Sequence, residues 1–431
     1  MRAAYRRWAT RAWRLGCGCA GLGSLALVEA AWAQNAPGQT ASDLSETNQA
    51  PQLPQTRLLD TAILAPAPVA AGAAQPVLQL GPVVFRPHMF YRFLYAEGLP
   101  AAASEKVNTS INELDPGIGL ELGKHWHLDY TPVLRYYSSS LMQNETDQSV
   151  VLVGRTAYEN WTFGLSQSYA SISQPLLETG EQTSQETYST ALSASYAFNA
   201  KTSLEMAINQ DFRFVGGGSS SEQLVDTRIW STMEWLNYQF WPRFNLALGG
   251  GGGYVDLSAG SPSSFEQVQG RLTWRVAGKL SLAVSAGYEE WQFLEVNSSD
   301  LVSPLFAVSI NYQPFKSTSI ALSANRSAAV SFIYGEVVEN TGVSGSIQQR
   351  LFKRLRLDVT TGYGVNSYEA SAADLSTSRE DHNVFVNARL GVQFLKRAVA
   401  GVFYQANRNT STIAQFKVST TQAGFDVGYS F

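Results

Sequence analysis

From Gly81 to Phe431 the chain repeats one texture: segments of about ten residues in which apolar residues alternate with polar or small ones. In FNLALGGGGGY, Phe244, Leu246 and Leu248 share one face, and Asn245, Ala247 and Gly249 the other. KLSLAVSAGY sets Leu280, Leu282, Val284, Ala286 and Tyr288 against Ser281, Ala283, Ser285 and Gly287. RLRLDVTTGY sets Leu355, Leu357 and Val359 against Arg356, Asp358 and Thr360. A period of two belongs to a strand, so each segment has one apolar face. After Gln34 no apolar run approaches the roughly 18 residues of a membrane helix. A membrane form of this chain must therefore cross with strands.

The connections alternate as well. Tight turns fall near Lys124-His125, Glu159-Asn160, Asn199-Lys201, Trp241-Arg243, Ala277-Lys279, Pro314-Ser317, Phe352-Arg354 and Lys396-Arg397. Between them lie longer polar stretches such as LLETGEQTSQET, FVGGGSSSEQLVD and EASAADLSTSRED. Short turns on one side and longer loops on the other are the outer-membrane pattern. Upward strands are expected to start near residues 82, 126, 162, 202, 244, 280, 317, 355 and 398, and downward ones to end near 123, 159, 198, 240, 276, 312, 351, 394 and 431. The fold class is then all-β: a transmembrane, antiparallel, up-and-down β-barrel of about 18 strands, or 16 if the first pair at 82–123 is lost. Aromatics such as Trp126, Trp161, Phe240, Trp274, Tyr312 and Phe352 flank the short turns, as a girdle at the headgroup level requires.

Arg2, Arg6, Arg7, Arg11 and Arg14 precede an apolar stretch from Leu15 to Leu27, and Ala31-Trp32-Ala33 fits a cleavage site. Residues 1–33 read as an export signal and Gln34 as the mature N-terminus. Residues 34–80 are rich in Ala, Pro, Gln and Thr and read as a flexible periplasmic leader, which plugs the pore or binds a partner. The barrel occupies 81–431. Both cysteines, Cys17 and Cys19, fall in the signal, so the mature chain has no disulfide and no Cys metal site. Removing five Arg and one Glu from totals of 31 basic and 35 acidic residues leaves 26 and 34, a net charge of −8. Such a chain gives no reason to expect a nucleic-acid partner.

The last strand, QAGFDVGYSF, places Phe425, Val427, Tyr429 and Phe431 on its apolar face. Here the chain resembles outer-membrane proteins whose final strand ends on Phe after alternating apolar residues. The resemblance implies that this ending is the signal read by the barrel-assembly machinery. In its wider texture the chain resembles the β-barrel porin families of Gram-negative bacteria, which implies location in the outer membrane.

Little points to catalysis. His125 and His127 flank Trp126 without a third ligand nearby, and His382 near the outer end of a strand has no distinctive nucleophile beside it. Gly249–Gly253 lacks the Lys and helix of a phosphate loop and reads as room for bending or close packing. The polar face says more. With the apolar side to lipid, the charges of Arg92, Glu121, Asp129, Arg135, Glu205, Asp211, Arg213, Glu289 and Asp426 turn inward, with the candidate pore-lining set Arg271, Arg275, Arg350, Arg356, Asp358 and Arg389. Arg350, Arg356 and Arg389 lie on three successive strands at similar depth, and less Asp358 they form a net positive arc.

The expected function is a passive diffusion channel for small hydrophilic solutes, since barrels of about 16–18 strands enclose water. No cofactor is implied. The alternatives are a structural or export-system component that uses the leader, and, lower, an outer-membrane hydrolase. No interface between copies is legible, so a homo-oligomer is left open. N-terminal sequencing of the exported protein should begin at Gln34; a retained Met1 or a lipid on Cys17 or Cys19 would contradict the export reading.

Overall fold

The computed structural model describes residues 78–431 except 103–104, 177, 217–223, 295–299, 332, 334–335, 353, 371–378 and 431. The export signal, the leader up to residue 77 and Phe431 thus lie outside the described residues. The strands are β1 (Leu78–Leu80), β2 (Val83–Ala102), β3 (Glu105–Leu122), β4 (Trp126–Tyr137), β5 (Glu145–Tyr158) and β6 (Trp161–Pro175). Next come β7 (Gln182–Ala197), β8 (Thr202–Gly216), β9 (Thr227–Trp241), β10 (Phe244–Leu257), β11 (Ser263–Ala277) and β12 (Leu280–Phe293). The last are β13 (Leu301–Phe315), β14 (Thr318–Val330), β15 (Glu336–Leu351), β16 (Leu355–Ala370), β17 (Arg379–Gln393), β18 (Ala398–Ser411) and β19 (Val418–Ser430). One 3-10 turn (Ala414–Phe416) precedes β19.

From β2 onward each strand pairs antiparallel with the next, and β19 returns to β2 from Thr421 opposite Glu97 to Ser430 opposite His88. The result is a closed antiparallel ring of 18 strands, with β1 outside it. The first pair, β2 and β3, is present, so the 16-strand alternative falls. Strand ends expected from the sequence lie within a few residues of those observed.

One expectation for the leader needs correction. Its last three residues are not a free tether but β1, turned onto β2 through Gly81, whose φ of +60° suits glycine. Leu78 faces Phe85 and Leu80 faces Val83, along the stretch of β2 that extends beyond the end of β19. β1 thus occupies a backbone edge that the ring leaves bare.

Alternation sets the two faces. Outside, Leu248, Val268 and Val402 are more than half exposed, too much apolar surface for a water-borne protein. Near the short turns, Trp161 packs on Tyr196 at 4.8 Å and Trp241 on Phe244 at 5.3 Å. Nearer the other rim, Phe212, Trp230 and Tyr254 form a second chain of rings at 5.2 and 6.2 Å. An apolar band between two aromatic girdles is a surface for a bilayer. Among the described residues no helix is long and apolar enough to cross one, so the strands do. The even-numbered, short-turned ring is that of a Gram-negative outer-membrane barrel, with the short turns in the periplasm.

Inside, the glycine run of β10 has a specific use. Gly249, Gly251 and Gly253 face inward, and a Cβ there would strike Trp235, Met233 and Phe265 within 3 Å. Bulky side chains from β9 and β11 lie flat across the bare β10 backbone. The same reasoning applies to Gly98 (φ +73°), where a bulge in β2 carries Leu99 inward and a Cβ would meet the Ser419 carbonyl at 2.3 Å. Gly251→Val should therefore lower the unfolding free energy by about 1–3 kcal/mol through overpacking. Gly270→Ala, where a Cβ meets nothing within 4 Å, should change it by less than about 0.5 kcal/mol. Urea unfolding followed by heat-modifiable gel mobility distinguishes the two.

Candidate functional site: a charged and narrowed lumen

Many of the inward charges are bound to one another. On β2 to β5, Arg92 Nη2 reaches Glu113 Oε2 at 2.6 Å, Arg135 Nη2 reaches Glu113 Oε1 at 3.5 Å, and Arg135 Nη1 reaches Asp147 at 2.7 Å. Asp147 also accepts the Ser173 N–H at 2.8 Å. Between β17 and β19, on either side of β18, Arg389 grips Asp426 through two bonds of 2.9 and 2.5 Å. Gly391 and Gly401 make room for it, since a Cβ at either would fall within 3 Å of the Arg389 guanidinium. Arg271 donates to Glu205 at 2.7 Å and Asn237 at 2.8 Å while lying over the Trp235 ring at 4.4 Å. Burial raises the cost of an isolated charge, so these groups persist inside the wall only as satisfied pairs.

The outer half of the lumen is further narrowed by chain that folds inward. The LLETG stretch, expected from the sequence as an external loop, is instead buried at Leu176 and Glu178–Glu181. The tip of the β14–β15 hairpin meets it: the Ser331 hydroxyl donates to Glu178 Oε1 at 2.6 Å. Arg213 of β8 donates to the Ser331 carbonyl at 3.3 Å, and Leu224 forms a β-bridge with Ile333. From β17, Arg379 donates to the Glu178 carbonyl at 2.9 Å, pairs with Asp381 at 2.6 Å and lies against the Phe416 ring at 3.4 Å. Four parts of the wall that are distant in sequence thus converge on one constriction. Apolar residues also face inward. Leu94, Leu99, Ile111, Tyr137, Phe403 and Val418 form one luminal cluster near the outer rim.

All six candidate residues on the polar face point inward by register, but they do not form one group. Arg271 belongs to the Glu205 pair, and Arg275 is exposed beside the β11–β12 turn. Arg350 stands opposite Arg356 on the β15–β16 ladder, and Arg356 is held by Asp358 at 2.8 Å. Asp358 stands opposite Arg389, whose charge is taken by Asp426. Asp426, two strands further round on β19, neutralises Arg389 and reduces the expected positive arc to the charge of Arg350. Among the described residues only Arg350 of the three has no ion pair. Glu205 is likewise neutralised, held by Arg271.

Sequence reasoning missed Glu113, Asp147, Glu178, Arg379 and Asp381. The first two and the last two lie on inward registers of β3, β5 and β17 and were within reach of strict alternation. Glu178 was not, because nothing local marks a polar loop as inward-folding. On the exterior, Phe425, Val427 and Tyr429 point outward as expected. His382 also faces outward, stacked on Tyr363 and within 2.7 Å of Glu380.

No family model and no curated protein matches the sequence. Solved barrels resemble the chain loosely. Pseudomonas aeruginosa OpdO aligns over 80% of this chain and 97% of its own length, at 10% identity and a TM-score of 0.44. Acinetobacter baumannii OccAB2 aligns over 80% and 98%, at 11% identity and 0.44. The siderophore receptor PirA of Pseudomonas aeruginosa aligns over 83% and 81%, at 9% identity and 0.43.

The pairing makes a sharp distinction between luminal cations. Asp426→Ala leaves Arg389 buried and unpaired and should cost about 3–5 kcal/mol of stability. Arg350→Ala should cost under about 0.5 kcal/mol. Urea denaturation of the two refolded variants checks this; equal losses would mean that the Arg389–Asp426 pair contributes no more than an exposed cation.

Proposed function

We propose that this chain is a passive outer-membrane channel for small hydrophilic solutes, with its width set at the constriction in its outer half. The observation that carries this reading is the closed 18-strand ring whose interior carries charged and polar side chains from most of its strands, interrupted by apolar clusters. Solutes cross by diffusion and need no cofactor or catalytic group. The paired charges on the wall act as fixed dipoles that orient a polar solute, and Arg350 and Arg275 add an unbalanced positive rim on the periplasmic side.

The residues before β1 belong to this reading as a periplasmic leader, delivered to the short-turn rim by β1. The outward apolar row of β19, Phe425, Val427 and Tyr429, together with the following Phe431 of the sequence, is where the barrel-assembly machinery would engage the chain.

Single-channel conductance of the refolded protein in a planar bilayer tests the proposal. The parent should conduct, and deleting residues 330–335 at the tip of the hairpin should raise the conductance by about twofold or more, because a wider aqueous section has lower resistance. A parent that folds but does not conduct overturns the channel. A deletion that leaves conductance unaltered overturns the placing of the narrowest point.

A further inference from the structure

The wall is not uniformly zipped. β13 pairs with β12 out to Leu301, yet with β14 only as far as Phe306 opposite Arg326. Beyond that, β14 runs on to Val330 paired with β15 alone. The segment Leu301–Leu305 therefore shows β14's side an open edge, and Pro304, which lacks an N–H, sits within it. The parted hairpin lies inside this edge. Ser303, on the inward register of β13 and fully buried, donates to Glu339 Oε1 at 2.5 Å. Glu339 in turn holds Arg326 at 2.6 Å. By alternation Arg326 and Glu339 belong to the outward row, where charge facing lipid is costly. The wall overlaps itself like a scroll, and this ion pair fills the overlap.

Directly behind the overlap is an apolar luminal cluster. Phe265 and Trp291 stack at 4.9 Å beside Val255, and Leu301, Ala328 and Val330 pack against them. A passage for hydrophilic solutes has no use for such a surface. Among the described apolar residues of the hairpin, the small side chains Ala328 and Val330 cover it from that side. Arg326 Nε is buried with no hydrogen-bond partner among the described residues. A cation with donor capacity to spare and a buried apolar cluster, covered on this side by the hairpin, stand at one seam, next to the outer aromatic level marked by Tyr288 opposite Pro304.

We propose that the β13–β14 seam is a lateral passage for single-chain amphiphiles with an acidic head group. As the hairpin shifts, the tail replaces Ala328 and Val330 on Phe265 and Trp291, the head displaces Glu339 from Arg326, and the molecule moves between the lumen and the outer leaflet where β13 and β14 part. The proposal does not rest on the aqueous channel: conductance reports the channel, and probe binding reports the seam.

The test uses the refolded full-length barrel in phosphatidylcholine vesicles, with pyrene-dodecanoate as the acidic probe and pyrene-dodecanol as its neutral counterpart. Quenching of tryptophan fluorescence reads binding. Arg326→Gln should weaken the acid by about tenfold and the alcohol by less than about twofold, the loss of one charge-assisted contact. In a second variant, Ser303→Cys with Glu339→Cys, a short reversible bis-thiosulfonate closes the seam; the native cysteines, Cys17 and Cys19, lie outside the barrel. Closure should abolish transfer of the acid from lumen-loaded protein to acceptor vesicles, leave ion conductance within about twofold of the untethered pair, and be reversed by reductant. Equal binding of the acid by Arg326→Gln and parent overturns the role of Arg326. Transfer that survives the tether overturns the passage, and so does loss of transfer and conductance together, which would make the hairpin a gate of the aqueous pore alone.

Discussion

Backbone hydrogen bonding in lipid is the constraint on which everything else in this molecule depends. Each strand that crosses the apolar band must give all its N–H and C=O groups to neighbours, because no water is there to take them. The pairing of β19 with β2 meets that demand by removing the last edge. It also fixes the even strand count and brings both chain ends to one rim. Where the closing strand is shorter than its partner, the leader supplies β1 to cover the remainder. The wall parts between β13 and β14, and between β5 and β6 beyond Gln148 opposite Ser171, near the outer rim, where the bilayer's demand is weakest.

A closed wall has a second consequence. Where inward-folded chain and bulky side chains narrow its interior, they desolvate the charges there. The response is pairing with space made to measure: Gly391 and Gly401 leave a slot for the Arg389 guanidinium, and Asp426 completes it. Along β10 the same device, bare backbone, accommodates Trp235 and Phe265 in place of a cation. Glycine in these strands acts as a spatial complement to a neighbour's side chain and leaves the ladder intact.

The wall was legible in the sequence because its rule is local. Alternation in FNLALGGGGGY or RLRLDVTTGY needs no information from elsewhere, so ring, strand ends and lipid face could be drawn without coordinates. Inward direction was legible for the same reason at Arg271, Arg356 and Arg389. What could not be read was the identity of each partner. Arg389 was grouped with Arg350 and Arg356 by proximity in the ladder, whereas Asp426 claims it from the other side. The inward fold of the β6–β7 turn and of the β14–β15 tip was hidden too, since a buried polar loop such as LLETG has the composition of an exposed one. Leu94 and Ile111 escape the rule in another way: near the outer rim β2 is apolar on both faces, and β3 turns Val107 and Ile111 inward with Lys106, Asn108 and Ser110 outward, so a rule that sends apolar residues to lipid has no purchase.

The constriction also imposes an order on the assembly of the molecule. Each wall hairpin joins neighbours in the chain, but the tip at Ser331 meets residues 153 and 118 positions away, at Glu178 and Arg213. Such long closures cost chain entropy before they return any contact. The inner walls of β8 and of β10 to β13 on which the tip rests must exist before it can settle, and Arg379 of β17 must arrive to secure Glu178. A nascent barrel therefore passes through a wide-bored stage, with its interior filling from the outer side only after the cylinder has formed. By the same logic the constriction is the region with the smallest opening free energy, and amide exchange there should run ahead of the surrounding staves.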